Sequence, residues 1–126
     1  IARRAAETGK SLNLSTLYRY SDVLVYDMLN TLAKTDDLRN YQCAAIDQLK
    51  HYDQKYGTSY LQTLQMYLTY CGDVSQIAKL LYTHRNTILH RIQKIEEIIS
   101  MPLDNHEVRV LLSLNLKIDS LLNTNQ

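Results

Sequence analysis

The sequence predicts an all-α protein, a helical bundle of about five to seven helices. Two observations support this class. The 126 residues include only three glycines and one proline, which leaves few positions for the tight turns of a sheet protein. Apolar residues also recur at helical spacing through most of the chain. Because phenylalanine and tryptophan are absent, we expect a core of leucine, isoleucine, valine and tyrosine.

The first part of the chain, residues 1–20, is predicted to be the end of an upstream domain and a linker. Residues 1–9 have the pattern of a helix end, with Gly9 as its stop. Residues 11–20 alternate weakly between apolar and polar, which predicts a short extended segment. The chain begins with Ile1 rather than methionine, so we expect it to be a fragment of a longer protein.

Residues 21–57 are predicted to form a helical support segment of two helices. Ser21 is the expected N-cap of the first, which should end near Ala33. Residues 35–37, a threonine followed by two aspartates, are expected to open the second, because acids favour the first turn of a helix. Gly57 should close it.

Residues 58–126 are predicted to form a further domain that ends in a long helix. Its first helix should begin at Thr58 and stop before Gly72. Asp104 begins a D-x-x-E capping pattern for the last helix, which should run to about Leu122. The apolar arc of this last helix is too broad for one packing face. Residues 20–56 or another subunit would cover its second side, and we favour a combination of the two.

Within this domain, residues 73–99 have the pattern of two short helices joined by a tight turn. Asp73 and Gln76 form the expected capping box of the first helix, and Thr83 is the expected cap of the second. One face of the second helix is a stripe of isoleucines: Ile88, Ile92, Ile95 and Ile99. Two helices joined in this way predict a helix-turn-helix inside the all-α bundle.

The same stretch is locally basic. Residues 74–95 contain four cations and no acid, although the net charge of the whole chain is only +1. Such a surface is suited to contact with DNA phosphates. The candidates for contact with base edges are Asn86, Leu89, His90 and Gln93. The candidates for phosphate contact are Lys79, Thr83, Arg85, Thr87, Arg91 and Lys94.

The motif HRNT followed by I-L-H-R-I-x-x-I, at residues 84–95, resembles the C-terminal helix-turn-helix of the PucR/CdaR family of bacterial transcriptional regulators. The similarity extends over residues 52–122, with a Tyr-Asp pair, a Thr-Leu helix and a Gly-Asp turn before the motif. Two positions depart from the family pattern. His90 stands where an aromatic residue is common, and Met101-Pro102 replaces the usual glycine after the recognition helix.

This resemblance implies sequence-specific binding of double-stranded DNA, with residues 58–126 as the DNA-binding domain. The helix at about residues 83–99 would enter the major groove. We also expect a cytoplasmic homodimer, because one recognition helix covers only a few base pairs and the apolar arc of the last helix offers a dimer surface. The resemblance implies that a small-molecule effector acts only through upstream domains.

Several alternatives stay open at this level. A polar helix face can be solvated without binding anything. For Arg85 and for Arg91, the alternative to phosphate contact is an internal ion pair, for instance with Glu96 or Asp73. Tyr82, in the turn, either packs on the protein or contacts the DNA backbone, and packing is the favoured interpretation. The rival function for the whole chain is a helical dimerisation or protein-interaction module that does not bind DNA.

Other functional classes have no residues to support them. There is no glycine-rich phosphate loop, nucleophile motif or carboxylate pair, so we expect neither an enzyme nor a cofactor. The four histidines lack metal-ligand spacing, so no metal site is predicted. Cys43 and Cys71 are expected to be buried free thiols. No apolar run is long enough to span a bilayer, so we expect no membrane segment.

Overall fold

The structure, a computed structural model, describes residues 14–124, with the side chains of residue 21 and residues 23–124. The helix end expected at residues 1–9 lies outside this range. The described residues form six α-helices and one 3-10 helix and contain no strand, which confirms the predicted all-α fold. In chain order these are α1 (Leu14–Thr35), η1 (Leu38–Tyr41), α2 (Ala45–Tyr56), α3 (Tyr60–Thr69), α4 (Val74–Leu80), α5 (Arg85–Ile99) and α6 (His106–Thr124).

The helices fall into two compact units. The first contains α1 and η1, and the second, residues 43–125, contains α2 to α6. The second unit therefore includes the helix-turn-helix together with the helix that precedes residue 57. The domain boundaries expected after residues 20 and 57 stay predictions.

The first unit begins with a longer helix than expected. The extended segment predicted at residues 11–20 is wrong from Leu14 onward, and Ser21 lies inside α1 rather than at its cap. The leucines at positions 14, 17 and 24 share helical spacing across Ser21. No glycine or proline interrupts them, so the helix continues through the serine.

The single helix predicted to start at residues 35–37 is also wrong, because a 3-10 helix and a short break come before α2. Asp37 caps η1, with its Oδ1 accepting the Arg39 N–H at 3.0 Å. The Arg39 guanidinium lies 3.0 Å from the same carboxylate and lowers the pKa of Asp37. These side-chain bonds give the backbone an alternative to a regular helix. Gln42 then takes an extended conformation.

In the second unit, Asn115 of α6 holds the chain where it leads into α2. Asn115 is only 2% exposed. Its Oδ1 accepts the Cys43 N–H at 2.8 Å, and its Nδ2 donates to the Leu111 carbonyl at 3.0 Å. An ion pair of 2.6 Å between Lys50 and Asp119 also joins α2 to α6. Both polar atoms of the buried amide therefore have a hydrogen-bond partner, as is usual for polar groups in a core.

The core of the second unit is built around α5. This helix contacts α2, α3 and α4, while α6 packs against α2 and α3. Every helix of the unit contributes buried side chains, as does Leu103 in the loop after α5. The buried apolar residues that form this core cluster are Ala45, Ile46, Leu49, Leu64, Ile77, Ala78, Ile88, Ile92, Ile95, Ile99, Leu103 and Leu112.

Helix α3 is capped by the helix before it. Oδ1 of Asp53 accepts the Tyr60 N–H at 2.8 Å and the Thr58 hydroxyl at 2.5 Å, and Oδ2 accepts the Leu61 N–H at 3.0 Å. Ser59, at the cap position itself, makes no side-chain bond to the helix. The helix begins at Tyr60, two residues later than predicted, and the Thr58 hydroxyl bonds the Asp53 carboxylate that caps it.

The helix stops predicted at Gly57 and Gly72 are confirmed, and the predicted cap of the last helix shifts. Gly57 and Gly72 follow α2 and α3 with φ of +66° and +76°. Helix α6 is capped by Asn105, whose Oδ1 accepts the Val108 N–H at 3.1 Å. The predicted cap at Asp104 is therefore one residue too early.

The two cysteines are free thiols, as expected. Cys43 is half-buried, but Cys71 is exposed because it lies in the turn after α3 with φ of +53°. Its predicted burial is wrong. No helix in the described range has the length and apolar character needed to cross a membrane.

The cap formed by Asp53 yields a first prediction. The substitution Asp53→Ala should lower the free energy of unfolding by about 1–2 kcal/mol, because two backbone N–H groups of α3 lose their acceptor. Urea denaturation followed by circular dichroism measures this change. The control is Gln54→Ala at the exposed neighbouring position, which should change stability by less than about 0.5 kcal/mol. Equal stability of the two variants would contradict the cap.

Candidate nucleic-acid interface

Helices α4 and α5 are joined by a four-residue turn, residues 81–84, that begins with a Schellman motif. The Thr83 N–H donates to the Ala78 carbonyl at 2.9 Å, and the Tyr82 N–H donates to the Lys79 carbonyl at 3.2 Å. Tyr82 adopts the left-handed conformation, with φ of +53°. Its side chain is 96% exposed, so the prediction that it packs on the protein is wrong.

The caps of the two helices follow the prediction in part. Asp73 caps α4 as expected, with Oδ1 accepting the Gln76 N–H at 3.1 Å. The reciprocal half of the capping box is not formed, because the Asp73 N–H donates to the Tyr70 carbonyl at 3.0 Å. The predicted cap at Thr83 is wrong. The Schellman turn uses the backbone of Thr83, so the extended residue His84 takes the N-cap position of α5.

One face of α5 is buried, as its sequence spacing predicts. The isoleucines of this face are between 0% and 9% exposed: Ile88, Ile92, Ile95 and Ile99. Ile77 and Ala78 of α4 belong to the same buried cluster, and the small Ala78 side chain allows the two helices to approach closely. The core therefore fixes which face of α5 is turned outward.

The candidates for contact with base edges lie away from this buried face. Asn86, His90 and Gln93 are exposed, and Leu89 is half-buried. Within the part of the chain that the structure describes, the three polar side chains have no hydrogen-bond or ion-pair partner. In the same range, no group of three histidine, cysteine or acidic side chains could hold a metal ion. The donors and acceptors on this face are therefore available to an external ligand.

The cationic candidates around this face are also unpaired, with one exception. Lys79 and Arg85 are exposed and Arg91 is half-buried, and none of them forms an ion pair with a described residue. The acids considered as their partners are used elsewhere. Glu96 accepts a backbone N–H in the loop after α5 at 2.9 Å, and Asp73 caps α4.

The exception is Lys94. Its ammonium lies 3.5 Å from the Glu97 carboxylate and 5.8 Å from the centre of the Tyr52 ring. The pKa of Lys94 is raised, first by Tyr52 and then by Glu97, so the side chain is a cation at neutral pH. Because an exposed ion pair of this kind contributes little, a phosphate can replace Glu97 as its partner. The remaining candidates, Thr83 and Thr87, are half-buried near the start of α5.

The far end of α5 is fixed by Leu103, a contact that sequence reasoning missed. Helix α5 ends at Ile99, and its C-cap residue Ser100 adopts φ of +57° without being a glycine. Leu103 is fully buried, and its N–H donates to Glu96 of α5 at 2.9 Å. Its carbonyl accepts the Tyr67 hydroxyl from α3 at 3.2 Å and the Arg109 guanidinium from α6 at 3.1 Å. These contacts involve the backbone of a leucine, so no pattern of polar residues in the sequence indicates them.

Comparison with known proteins extends these observations. Residues 60–118 match the PucR C-terminal helix-turn-helix domain. The chain is 31% identical over 122 residues to the purine catabolism regulatory protein of Bacillus subtilis (strain 168), an alignment that covers 96% of the chain and 22% of that protein. It is also 31% identical over 114 residues to the proline-responsive transcriptional activator PutR of the same organism, covering 90% and 27% of the two chains.

A third relative is the DNA-binding transcriptional activator AdeR of Bacillus subtilis (strain 168), at 24% identity over 102 residues, or 81% of the chain and 24% of AdeR. No solved structure matches the chain significantly. The chain spans about a quarter of the length of these relatives. The matched domain extends from α3 into α6 and contains the whole helix-turn-helix. Residues 60–118 are therefore a helix-turn-helix domain of the PucR C-terminal type, and the chain is similar to the C-terminal part of PucR-type regulators.

Proposed function

We propose that this chain binds double-stranded DNA with sequence specificity, as the DNA-binding part of a bacterial transcriptional regulator in the cytoplasm. The observation that carries the proposal is the outer face of α5, where exposed polar side chains without described partners lie in a stretch that contains no acid. The family and its regulators in Bacillus subtilis support the same function. Those relatives are about four times longer, so we assign effector sensing to regions outside this chain.

In this mechanism α5 enters the major groove, which is wide enough to admit a helix. Asn86 and Gln93 can each bond adenine through two hydrogen bonds, and His90 can donate to a base acceptor. Leu89 offers an apolar contact for a thymine methyl group. These side chains need no rearrangement of the core, because the fold uses only the opposite face of α5.

Phosphate contacts would hold α5 at the correct depth and register. Lys79 and Arg85, the two exposed cations among the phosphate candidates, lie on either side of the turn that leads into α5. Arg91 and Lys94 supply charge further along the helix, while the hydroxyls of Thr83 and Thr87 would bind phosphates near its start. Contacts of this kind carry affinity but no base preference.

We also propose that the chain acts as a homodimer through α6. One recognition helix covers only a few base pairs, so specific binding normally needs two half-sites. Helices α2 and α3 cover one side of α6, where Leu112 is fully buried. The side chains of Val110, Leu111 and Leu114 are 41%, 38% and 37% exposed. These three residues offer an apolar surface on α6 for a second copy.

The first test of this function is titration of the protein with duplex DNA of random sequence, followed by fluorescence anisotropy at two salt concentrations. Affinity should fall steeply as salt rises, because phosphate binding releases counterions. Arg85→Ala should weaken binding and reduce the salt slope by about 1. The control is Lys55→Ala, an exposed cation of α2 outside the acid-free stretch, which should leave binding unchanged. A folded protein that binds no DNA at low salt would favour the protein-interaction alternative.

A second test separates base contacts from phosphate contacts. His90→Ala should change the sequence that is selected from a random DNA pool, because a base contact is lost. Lys94→Ala should weaken binding to all sequences alike by about 2- to 5-fold and leave the selected sequence unchanged. Selection followed by sequencing of the bound DNA measures both effects. If His90→Ala selects the same sequence as the unmodified protein, the assignment of this face to base contact is wrong.

The third test concerns the dimer. Leu114→Glu should yield a monomer in sedimentation experiments, because it places a charge in the proposed apolar interface. The control is Ser120→Glu, at an exposed position on another side of the same helix, which should remain dimeric. The proposed interface would be contradicted if the unmodified protein were a monomer at micromolar concentration, or if Leu114→Glu remained a dimer.

A further inference from the structure

Tyr82 occupies a backbone position that tyrosine rarely takes. It is the residue that follows the C-cap of α4 in the Schellman motif, and its φ is +53°. Glycine is the usual residue here, with asparagine next, because a Cβ atom is strained in the left-handed region. Since the turn does not favour tyrosine on conformational grounds, its presence calls for another explanation.

The fold makes no use of the Tyr82 ring. At 96% exposure it removes almost no apolar surface from water, so it adds nothing to the hydrophobic stability of the protein. Among the described residues it has no aromatic, cationic or hydrogen-bonding partner. Other tyrosines of this unit differ, since Tyr67 bonds the Leu103 carbonyl and Tyr52 lies against Tyr60.

The surroundings of Tyr82 indicate the chemistry of a partner. Lys79 lies three residues before it and Arg85 three residues after it, and both cations are exposed without a described ion pair. No acid occurs between residues 74 and 95. An exposed phenol between two free cations is suited to an anion, because its hydroxyl can donate a hydrogen bond to a phosphate oxygen.

We propose that Tyr82 contacts the DNA backbone, with its hydroxyl donating to a phosphate oxygen at the edge of the groove and its ring lying against the adjacent sugar. This inference rests on the proposed DNA binding. It makes Tyr82 a residue that positions α5, because it lies three residues before Arg85, the first residue of the helix that would enter the groove. A contact of this kind affects all DNA sequences alike.

The test compares two substitutions of this residue. Tyr82→Phe removes only the hydroxyl and should weaken binding to random-sequence duplex by about 3- to 10-fold, the effect of one lost hydrogen bond. Tyr82→Asn removes the ring as well and should weaken binding further. Asparagine accepts the left-handed conformation, so this variant should melt at the same temperature as the unmodified protein or higher. A loss of affinity without a loss of stability separates a DNA contact from a structural role.

The matched control is Ser100→Asn. Ser100 is also exposed and left-handed, with φ of +57°, but it lies at the opposite end of α5. It should not change DNA affinity. Unchanged binding by both Tyr82 variants, while the unmodified protein binds DNA with a steep salt slope, would overturn this inference and leave the proposed function intact.

Two other outcomes are also decisive. If the unmodified protein binds no DNA, the proposed function fails, and this inference fails with it. If Tyr82→Asn converts a dimer into a monomer in sedimentation experiments, and Tyr82→Phe binds DNA normally, the ring contacts a second copy of the chain instead of DNA.

Discussion

Burial of the isoleucine face of α5 is the interaction on which the rest of the second unit depends. Its four side chains meet residues of α2, α3 and α4, so each of these helices is oriented by the same surface. Burying an isoleucine contributes about 1.5–3 kcal/mol, and the four together contribute on the order of 6–12 kcal/mol. That is as large as the net stability of a typical domain, about 5–15 kcal/mol. The core therefore determines which residues of α5 face the solvent.

Polar side chains refine this arrangement at the helix ends, where backbone groups lack partners. Asp53 reaches across a turn to the start of α3, and Asn115 bonds the backbone just before α2. Side chains of α3, α5 and α6 form hydrogen bonds with the backbone N–H and carbonyl of Leu103, in the loop after α5. Since these bonds lie at junctions between helices, they restrain how the helices can turn relative to one another. The outer face of α5 is thus presented by a rigid support.

Sequence reasoning found several features that depend on local patterns, although it misplaced some helix caps, and it missed contacts between distant residues. The isoleucine stripe, the Asp73 cap and the stop at Gly57 each depend on residues only a few positions apart. The bond between Asn115 and the Cys43 backbone joins positions 72 apart, so no local pattern indicates it. The exposure of Tyr82 was missed for another reason, since a tyrosine ring usually packs even in a turn, and this one adopts a left-handed conformation and is exposed.

The separation between the two faces of α5 has a consequence for how such a protein can change over time. Substitutions at Asn86, His90 or Gln93 remove no described contact, so they are expected to leave the fold intact. If this face reads DNA, new operator preferences can arise by replacing a few surface side chains, without passing through unstable intermediates. One helical scaffold could then serve regulators of unrelated genes, each distinguished by a small interchangeable set of residues.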